Sequence, residues 1–265
     1  MSDLNNKVVW ITGASAGIGA ALARASAAQG ARLVLSARRT AELEKVAAGI
    51  GLPAQDVLVL PLDLLDTASF AEKVKAVRTR FGRVDLVIHN AGISQRSLVR
   101  DTTYEVDRRI MEVNFLGTAA LTKAVLPTML EQGGGQFAVV SSLVGKFGTP
   151  LRSAYSASKH ALHGYFDSLR AELWRENIAV TIVCPGFIRT EVSVNALTGD
   201  GSPQNRMDNA TSNGMDPDRF ARKMLRAVAR KRREVYIGGF EVRAVYLKRF
   251  VPGLFAQRIR KVKVT

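Results

Sequence analysis

Short apolar runs alternate with stretches of helical periodicity along the chain. None of the runs switches strictly between apolar and polar residues, as the strands of a sheet with one solvated face do. We therefore predict buried parallel strands near residues 8–11, 32–35, 57–60, 86–88, 137–140, 180–183 and 235–237. Helical patterns lie at residues 20–29, 40–48, 67–81, 101–130, 154–176 and 217–231.

The alternation of strand and helix predicts an α/β fold. Parallel neighbours in a sheet are joined by crossovers, usually helices, that cover its faces. We predict a single-domain, doubly wound Rossmann fold with a seven-stranded parallel sheet and helices on both faces. No repeat or linker interrupts residues 1–240, which we interpret as one dinucleotide-binding catalytic domain.

Two segments depart from this rhythm. Residues 190–216 lack a long periodic element and follow a strand end, where ligands bind in such sheets. We interpret them as a substrate loop, the alternative being a plain surface excursion. Residues 241–265 form a basic amphipathic C-terminal extension, broken by Pro252 and Gly253. Such an extension can lie on an anionic membrane, or pack against protein while its cations reach solvent.

The formal net charge of +15 is concentrated near the C-terminus. Residues 219–265 hold 15 Lys and Arg against Glu234 and Glu241, which leaves 23 basic and 21 acidic residues in positions 1–218. The densest cluster, residues 230–233, lies at a predicted helix-to-strand junction and has no nucleic-acid reading motif. We therefore do not predict nucleic-acid binding.

Cysteine usage and the first residues bear on location. Cys184 is the single cysteine, so it cannot form an internal disulfide, and we interpret it as a small buried apolar residue. Residues 1–7 lead into a strand pattern without a signal segment, so we expect a cytoplasmic protein. His160 and His163 are interpreted as structural, and no metal site is predicted.

A glycine-rich turn joins the first strand to the first helix. Without a Cβ, glycine lets backbone N–H groups approach a pyrophosphate at the positive end of a helix. The spacing Gly-x-x-x-Gly-x-Gly therefore predicts a dinucleotide site. Its predicted contact residues are Gly13, Ser15, Ala16, Gly17, Ile18 and Gly19.

The residues after the second strand bear on cofactor choice. A carboxylate there would favour the ribose 2′-hydroxyl of NAD, whereas a cation favours the 2′-phosphate of NADP. The chain has Arg38 and Arg39, so we predict NADP(H), the alternative being that both arginines begin a solvated loop. Asp63, followed by Leu64, is predicted to accept from the adenine amino group, or instead to cap a helix.

Tyr155 and Lys159 are four residues apart in a predicted helix, so they share one face. A nearby cation can lower a phenol pKa of roughly 10 by about 1–3 units, which would make Tyr155 a usable acid and base. Ser142 ends a strand thirteen residues earlier, and Asn114 lies in the preceding helix.

These motifs, taken in order, resemble the classical short-chain dehydrogenase/reductase family, and within it the dehydrogenase/reductase seven and hydroxysteroid dehydrogenase branch. The resemblance covers nearly the whole chain. It rests on the following residues: Thr12 to Gly19, Asn90-Ala91-Gly92, Asn114, Ser142, Tyr155 with Lys159, Pro185-Gly186 and Thr190.

The resemblance implies a role for each catalytic residue. Tyr155 would protonate the carbonyl oxygen or deprotonate the alcohol, and Ser142 would hydrogen-bond the same oxygen. Lys159 would bind the nicotinamide ribose and lower the pKa of Tyr155, while Asn114 would hold a water that links Lys159 to solvent.

The resemblance also implies further cofactor contacts. These would come from Asn90, Ala91, Gly92, Pro185, Gly186, Ile188 and Thr190, together with Tyr155 and Lys159. Two positions depart from common family patterns. His89 stands where many relatives have Asn, and Ala16 where some NADP-dependent relatives have a basic residue.

We therefore predict an NADP(H)-dependent oxidoreductase that acts on CH–OH groups, a carbonyl reductase of lipid metabolism that interconverts a ketone and a secondary alcohol. The branch resemblance implies hydrophobic or lipid-like substrates and a homodimer or homotetramer. Two alternatives stay open: a 3-oxoacyl-carrier-protein reductase whose basic extension meets an acidic carrier, and a non-catalytic NADP sensor with a basic interaction tail.

Overall fold

Seven parallel strands form the centre of the protein, a computed structural model that describes residues 4–262. The strands are β1 Val8–Thr12, β2 Arg32–Ser36, β3 Val57–Val59, β4 Leu86–His89, β5 Gly135–Val140, β6 Ile178–Pro185 and β7 Glu234–Ile237. They are ordered β3-β2-β1-β4-β5-β6-β7, and every neighbouring pair is parallel. The predicted fold class is confirmed.

The apolar runs arise because the sheet is covered on both faces. All five residues of β1 are buried. Val8 and Trp10 point into one core cluster, whereas Val9 and Ile11 point into the other. Since successive side chains of a strand alternate in direction, a strand buried on both faces needs apolar residues at every position.

Helices supply the two covering layers. Their bounds are α1 Gly17–Ala27, α2 Thr40–Ile50, α3 Phe70–Phe81, α4 Tyr104–Met111, α5 Gly117–Glu131, α6 Ser153–Glu172, α7 Asn209–Ser212, α8 Pro217–Ala229, α9 Arg243–Phe250 and α10 Pro252–Ile259. The main boundary differences are an earlier start of α1, a 3₁₀ turn before α3 and an earlier end of α6. Helix ends fray and tighten in this way, which periodicity does not reveal.

The pattern over residues 101–130 predicted one helix, and the structure shows that this helix begins at Tyr104 and contains a π-helical turn. A π-helical turn, Glu112–Leu116, separates α4 from α5. A π turn adds one residue to a helical turn without ending the helix, so the apolar pattern continues through it. The turn contains Asn114, which lies among the predicted catalytic residues.

The continuous helix over residues 104–131 is long and apolar enough, by length and composition, to cross a membrane. Half of its most apolar window is buried inside the fold. Leu121, Val125 and Met129 belong to the main core, so its apolar side is used in packing.

The two segments that departed from the rhythm both contact the main body. Residues 190–216 contain α7 and isolated bridges to Gln95 and Ile188. In the C-terminal extension, α9 and α10 meet at Val251 and Pro252, near the predicted break. Val245 and Phe255 of these helices are buried in the main core.

Candidate active site

The glycine-rich turn lies between β1 and α1 and is shaped for close approach of a ligand. Gly13 has a positive φ of 67°, and an added Cβ on Gly19 would lie 2.0 Å from the carbonyl oxygen of Gly13. Among residues 4–262, no side chain caps α1, whose N-cap is Ala16, so its first N–H groups are left available to an anion. The residues present therefore fit a dinucleotide pyrophosphate.

Asn90 fixes this turn from the end of β4. Its side-chain amide donates to the carbonyl oxygens of Thr12, at 3.1 Å, and Gly13, at 3.3 Å. The Thr12 hydroxyl in turn accepts from the backbone N–H groups of Asn90 and Ala91. Two parallel strand ends are thereby tied together at the predicted cofactor channel.

The predicted adenosine end lies beside β2 and β3. Arg38 and Arg39 are exposed, and Arg39 Nη2 lies 3.5 Å from Ser15 Oγ at the glycine-rich turn. Asp63 Oδ1 accepts from the N–H of Leu65 at 3.0 Å, within a loop. Asp66 occupies the N-cap of the following 3₁₀ turn, so the alternative of a helix cap at Asp63 is wrong.

The π turn holds Asn114 against the segment that follows Gly92. Asn114 Oδ1 accepts from the N–H of Ile93 at 2.8 Å, and Nδ2 donates to the Ile93 carbonyl at 2.9 Å and to Ser158 Oγ at 3.0 Å. All of its amide atoms are thus engaged in positioning the 92–93 backbone and α6. An added Cβ at Gly92 would lie 3.0 Å from Asn114 Oδ1.

Lys159 lies in α6 and is buried in the wall of the cleft. Its Nζ donates to the carbonyl of Val140, the last residue of β5, at 2.9 Å. Burial lowers the pKa of Lys159 to about 8. The ammonium group therefore titrates close to neutrality, and its charge is sensitive to whatever binds beside it.

Tyr155 is half-buried in the first turn of α6, and Ser142 lies just beyond β5. Burial raises the pKa of Tyr155, and the guanidinium of Arg152, the Ser142 hydroxyl and the guanidinium of Arg96 oppose that rise. We expected Lys159 in this opposing role. Its Nζ instead bonds Val140 and lies 5.7 Å from the centroid of the Tyr155 ring.

One cleft brings most of the predicted residues together. Tyr155, Ser142 and Lys159 line it, and Asn114 supports its wall. Its other predicted lining residues are Ile18, Asn90, Gly92, Pro185, Gly186, Ile188 and Thr190. Arg38, Arg39, Asp63 and Leu64 lie apart from this set, on the β2 and β3 side of the glycine-rich turn.

Sequence reasoning missed three charged residues at the cleft. Arg96 and Arg152 line it, and Asp208 of the 190–216 segment forms a buried ion pair with Arg96. Asp208 is 112 residues from Arg96. No local spacing could indicate this pairing, although two arginines next to motif residues were a signal that we did not use.

Glu241 is a fourth residue that the sequence did not single out. Its Oε1 accepts from the N–H groups of Phe187 and Gly239, both at 3.0 Å. Glu241 therefore fixes the segment after Pro185 and Gly186, which lines the cleft.

His89, His163 and Cys184 are buried in structural positions. His89 is buried, bonds Thr122 Oγ1 through Nε2 at 2.9 Å and stacks on Phe137, and burial lowers its pKa to about 3. His163 is buried beside Ser141, and Cys184 is fully buried with a raised pKa. Within residues 4–262, no group of three His, Cys, Asp or Glu side chains is arranged to hold a metal ion.

Known proteins resemble this chain over most of its length. A family model described as short chain dehydrogenase matches residues 7–200. The chain is 44% identical over 259 residues to a dehydrogenase/reductase SDR family protein 7-like of Drosophila melanogaster, covering 96% of this chain and 79% of that protein. It is 42% identical to dehydrogenase/reductase SDR family member 7B of Mus musculus, covering 97% and 83%.

Solved structures show the same fold. An alcohol dehydrogenase from Thermococcus sibiricus, complexed with 5-hydroxy-NADP, has a TM-score of 0.74 at 30% identity and covers 88% of this chain and 97% of its own. A short chain dehydrogenase/reductase from Burkholderia phymatum in complex with NAD has a TM-score of 0.85 at 22% identity, with both chains covered completely.

Proposed function

The chain belongs to the short-chain dehydrogenase family of oxidoreductases, and we propose that it interconverts a ketone and a secondary alcohol with NADP(H). The observation that carries the proposal is the convergence of Tyr155, Ser142 and Lys159 in one cleft that reaches the glycine-rich turn. This arrangement places an acid, a hydrogen-bond donor and a cation beside a dinucleotide cradle.

The nicotinamide, when bound, supplies or accepts the hydride. Burial keeps Tyr155 protonated at neutral pH, so the phenol is ready to donate a proton to a carbonyl oxygen. Ser142 would hold that oxygen, and Lys159 would bind the ribose hydroxyls. Asn114 would position the site, since its amide fixes the backbone beside Gly92 and the α6 residue Ser158.

Arg38 and Arg39 support the preference for NADP(H). They stand where an NAD-dependent site would carry a carboxylate, and Arg39 already reaches Ser15 at the phosphate turn. The Thermococcus sibiricus neighbour carries an NADP derivative and the Burkholderia phymatum neighbour carries NAD, so this fold accommodates either cofactor.

We place the substrate among hydrophobic or lipid-like ketones. Ile93, Phe187 and Val192 line the cleft on the side of the 190–216 loop, and each offers apolar surface. Such walls favour an apolar chain beside the reacting carbonyl. The loop residue Thr211 completes that side, in agreement with a substrate-covering role.

The test is NADPH oxidation with a panel of ketones, with identification of the product. The proposal predicts sustained turnover and a secondary alcohol as product. Turnover confined to carrier-linked ketones would show a 3-oxoacyl-carrier-protein reductase. Tight NADPH binding without turnover on any ketone would instead show a sensor.

We further propose a cytoplasmic protein that touches anionic membranes through α9 and α10. Val245 and Phe255 anchor these helices to the core, while Tyr246, Phe250 and Leu254 are exposed, Phe250 by 75%. The surrounding cations are Arg243, Lys248, Arg249, Arg258, Arg260 and Lys261. Exposed aromatic side chains among basic ones are typical of membrane-surface helices.

Co-sedimentation of the whole chain with phosphatidylserine vesicles tests this contact. Truncation before α9 would remove two buried core residues, so substitution is the cleaner design. Tyr246→Ser with Phe250→Ser should weaken binding several-fold, whereas the similarly exposed Trp174→Ser outside the extension should not. Unchanged binding of the double variant would refute the contact.

The assembly is proposed to be a homodimer or homotetramer. Leu116, in the π turn, is an apolar side chain that is 53% exposed, and its neighbour Phe115 is partly buried. Light scattering of the chain, with Leu116→Glu as the variant, would show whether this surface joins subunits.

A further inference from the structure

A buried cluster of three charges stands on the substrate side of the cleft. The side chains of Arg96, Arg152 and Asp208 are 3%, 10% and 0% exposed. Both arginines approach the same carboxylate oxygen, since Arg96 donates to Asp208 Oδ2 and Arg152 Nη2 lies 3.7 Å from it. Two cations against one anion leave one positive charge in excess.

The guanidinium of Arg96 donates four hydrogen bonds within the protein. Its Nε and Nη2 donate to Asp208, while Nη1 donates to Ser94 Oγ at 2.8 Å and to the Gln95 carbonyl at 2.6 Å. It ties the 190–216 segment to the loop after β4. Arg96 and Asp208 thus form a structural pair, and the excess charge belongs to Arg152.

The guanidinium of Arg152 has fewer hydrogen-bond partners. Its Nε is buried and has no hydrogen-bond partner among the described residues, and its contact with Asp208 is too long for a hydrogen bond. The ring of Phe187 lies 5.9 Å away and offers a cation only a weak, face-on contact. A buried guanidinium whose Nε has no acceptor and whose ion pair lacks a hydrogen bond is costly unless a further anion joins it.

The position of Arg152 indicates that the anion is part of the substrate. Arg152 precedes α6 as its N-cap residue, three positions before Tyr155, and both line the cleft. The first N–H groups of α6 are already occupied, because Gln95 Oε1 accepts from Ala154 and Tyr155. The guanidinium is therefore the group that is available to an anion next to the reacting carbonyl.

We infer that Arg152, held in place by Arg96 and Asp208, binds a carboxylate or phosphate group of the substrate. This inference rests on the proposed function and narrows its substrate to an apolar ketone that carries an oxyanion. A guanidinium binds either group through paired, charge-assisted hydrogen bonds. Arg152 then sets specificity, and Tyr155 supplies the proton.

Equilibrium binding separates this inference from turnover. Decanoate, decyl phosphate and neutral decanamide are titrated calorimetrically into the chain saturated with NADPH, so that the cofactor's own phosphates are already bound. We expect one or both anions to bind roughly 10- to 100-fold more tightly than decanamide, as for other charge-assisted hydrogen bonds. Whichever anion binds more tightly identifies the group.

Variants give effects of opposite sign. Arg152→Gln should abolish the preference for anions and leave decanamide binding unchanged, while Arg152→Lys should retain part of it. Asp208→Asn removes the competing negative charge, so it should strengthen anion binding relative to decanamide binding in the same variant. If these residues only tie the loop to the core, each variant would weaken all three ligands equally, and the inference would be overturned.

The wild-type chain gives the second decisive result. Equal affinity for decanoate, decyl phosphate and decanamide overturns the inference, even if neutral ketones are reduced with NADPH. An anion preference that depends on Arg152, together with no turnover on any ketone, retains the anion site and defeats the proposed reaction.

Discussion

The two ends of the cleft present different kinds of chemical group. The cofactor end presents backbone groups of the turn after β1 and of the start of α1. The side chain of Asn90 holds that turn in place. The substrate end is made of side chains, where Arg96, Arg152 and Asp208 place charge within an apolar wall. Changes at the first end should act through steric fit, and changes at the second through charge.

The largest effect on cofactor affinity is expected where the main chain has no room for a side chain. Gly19→Ala places a Cβ 2.0 Å from the Gly13 carbonyl oxygen, so the turn must move. We expect at least roughly a hundredfold loss of NADPH affinity, measured by fluorescence titration, because the displaced N–H groups no longer meet the pyrophosphate.

Gly49→Ala in α2 is the matched control. Nothing lies within 4 Å of its added Cβ, and alanine suits a helix interior better by about 1 kcal/mol. Its NADPH affinity should stay unchanged, with equal or greater thermal stability. Wild-type affinity in Gly19→Ala would break the account of the cofactor end.

A smaller loss of NADPH affinity is expected at Arg38 and Arg39, which act through their charge. Replacing Arg38 and Arg39 together by alanine should weaken NADPH roughly 10- to 100-fold and leave NADH unchanged, because only NADPH carries the 2′-phosphate. Titration of both cofactors measures the ratio. An equal loss for both would show that the arginines support the turn and do not select the cofactor.

The smallest expected effect on cofactor affinity is its dependence on pH through Lys159. Lys159 has a pKa of about 8, so it is charged at pH 7 and mostly neutral at pH 9. If its ammonium binds the ribose, NADPH affinity should fall about tenfold between pH 7 and pH 9. Titration across that range measures it.

Lys159→Arg supplies the contrast, because a guanidinium keeps its charge throughout this range. Its affinity, whatever its absolute value, should not fall between pH 7 and pH 9. A wild-type affinity that is flat to pH 10 would remove Lys159 from cofactor binding.

The sequence predicted what is local. Buried strands, the glycine-rich turn, and the four-residue spacing of Tyr155 and Lys159 are each set by neighbouring residues, and the structure confirms the sheet. The π turn at Asn114 was missed because it barely disturbs an apolar pattern. The pairing of Arg96 with Asp208 was missed because loops that are distant in sequence meet only in the folded chain.

The electrostatics at Tyr155 could not be predicted from spacing either. The pairing with Lys159 suggested a lowered phenol pKa, yet burial raises it, and the opposing cations come from Arg152 and Arg96. Burial and the direction of a long side chain are properties of the folded cleft. Spacing identified the residues but not the balance of charges around them.

Tyr155→Phe tests the central claim, that this phenol transfers the proton, most directly. The substitution removes one hydroxyl from a half-buried ring and should leave the fold intact. We predict that kcat for ketone reduction falls roughly 10²- to 10⁴-fold while the Kd for NADPH changes by less than about threefold. A variant that binds NADPH and retains wild-type kcat would contradict the account.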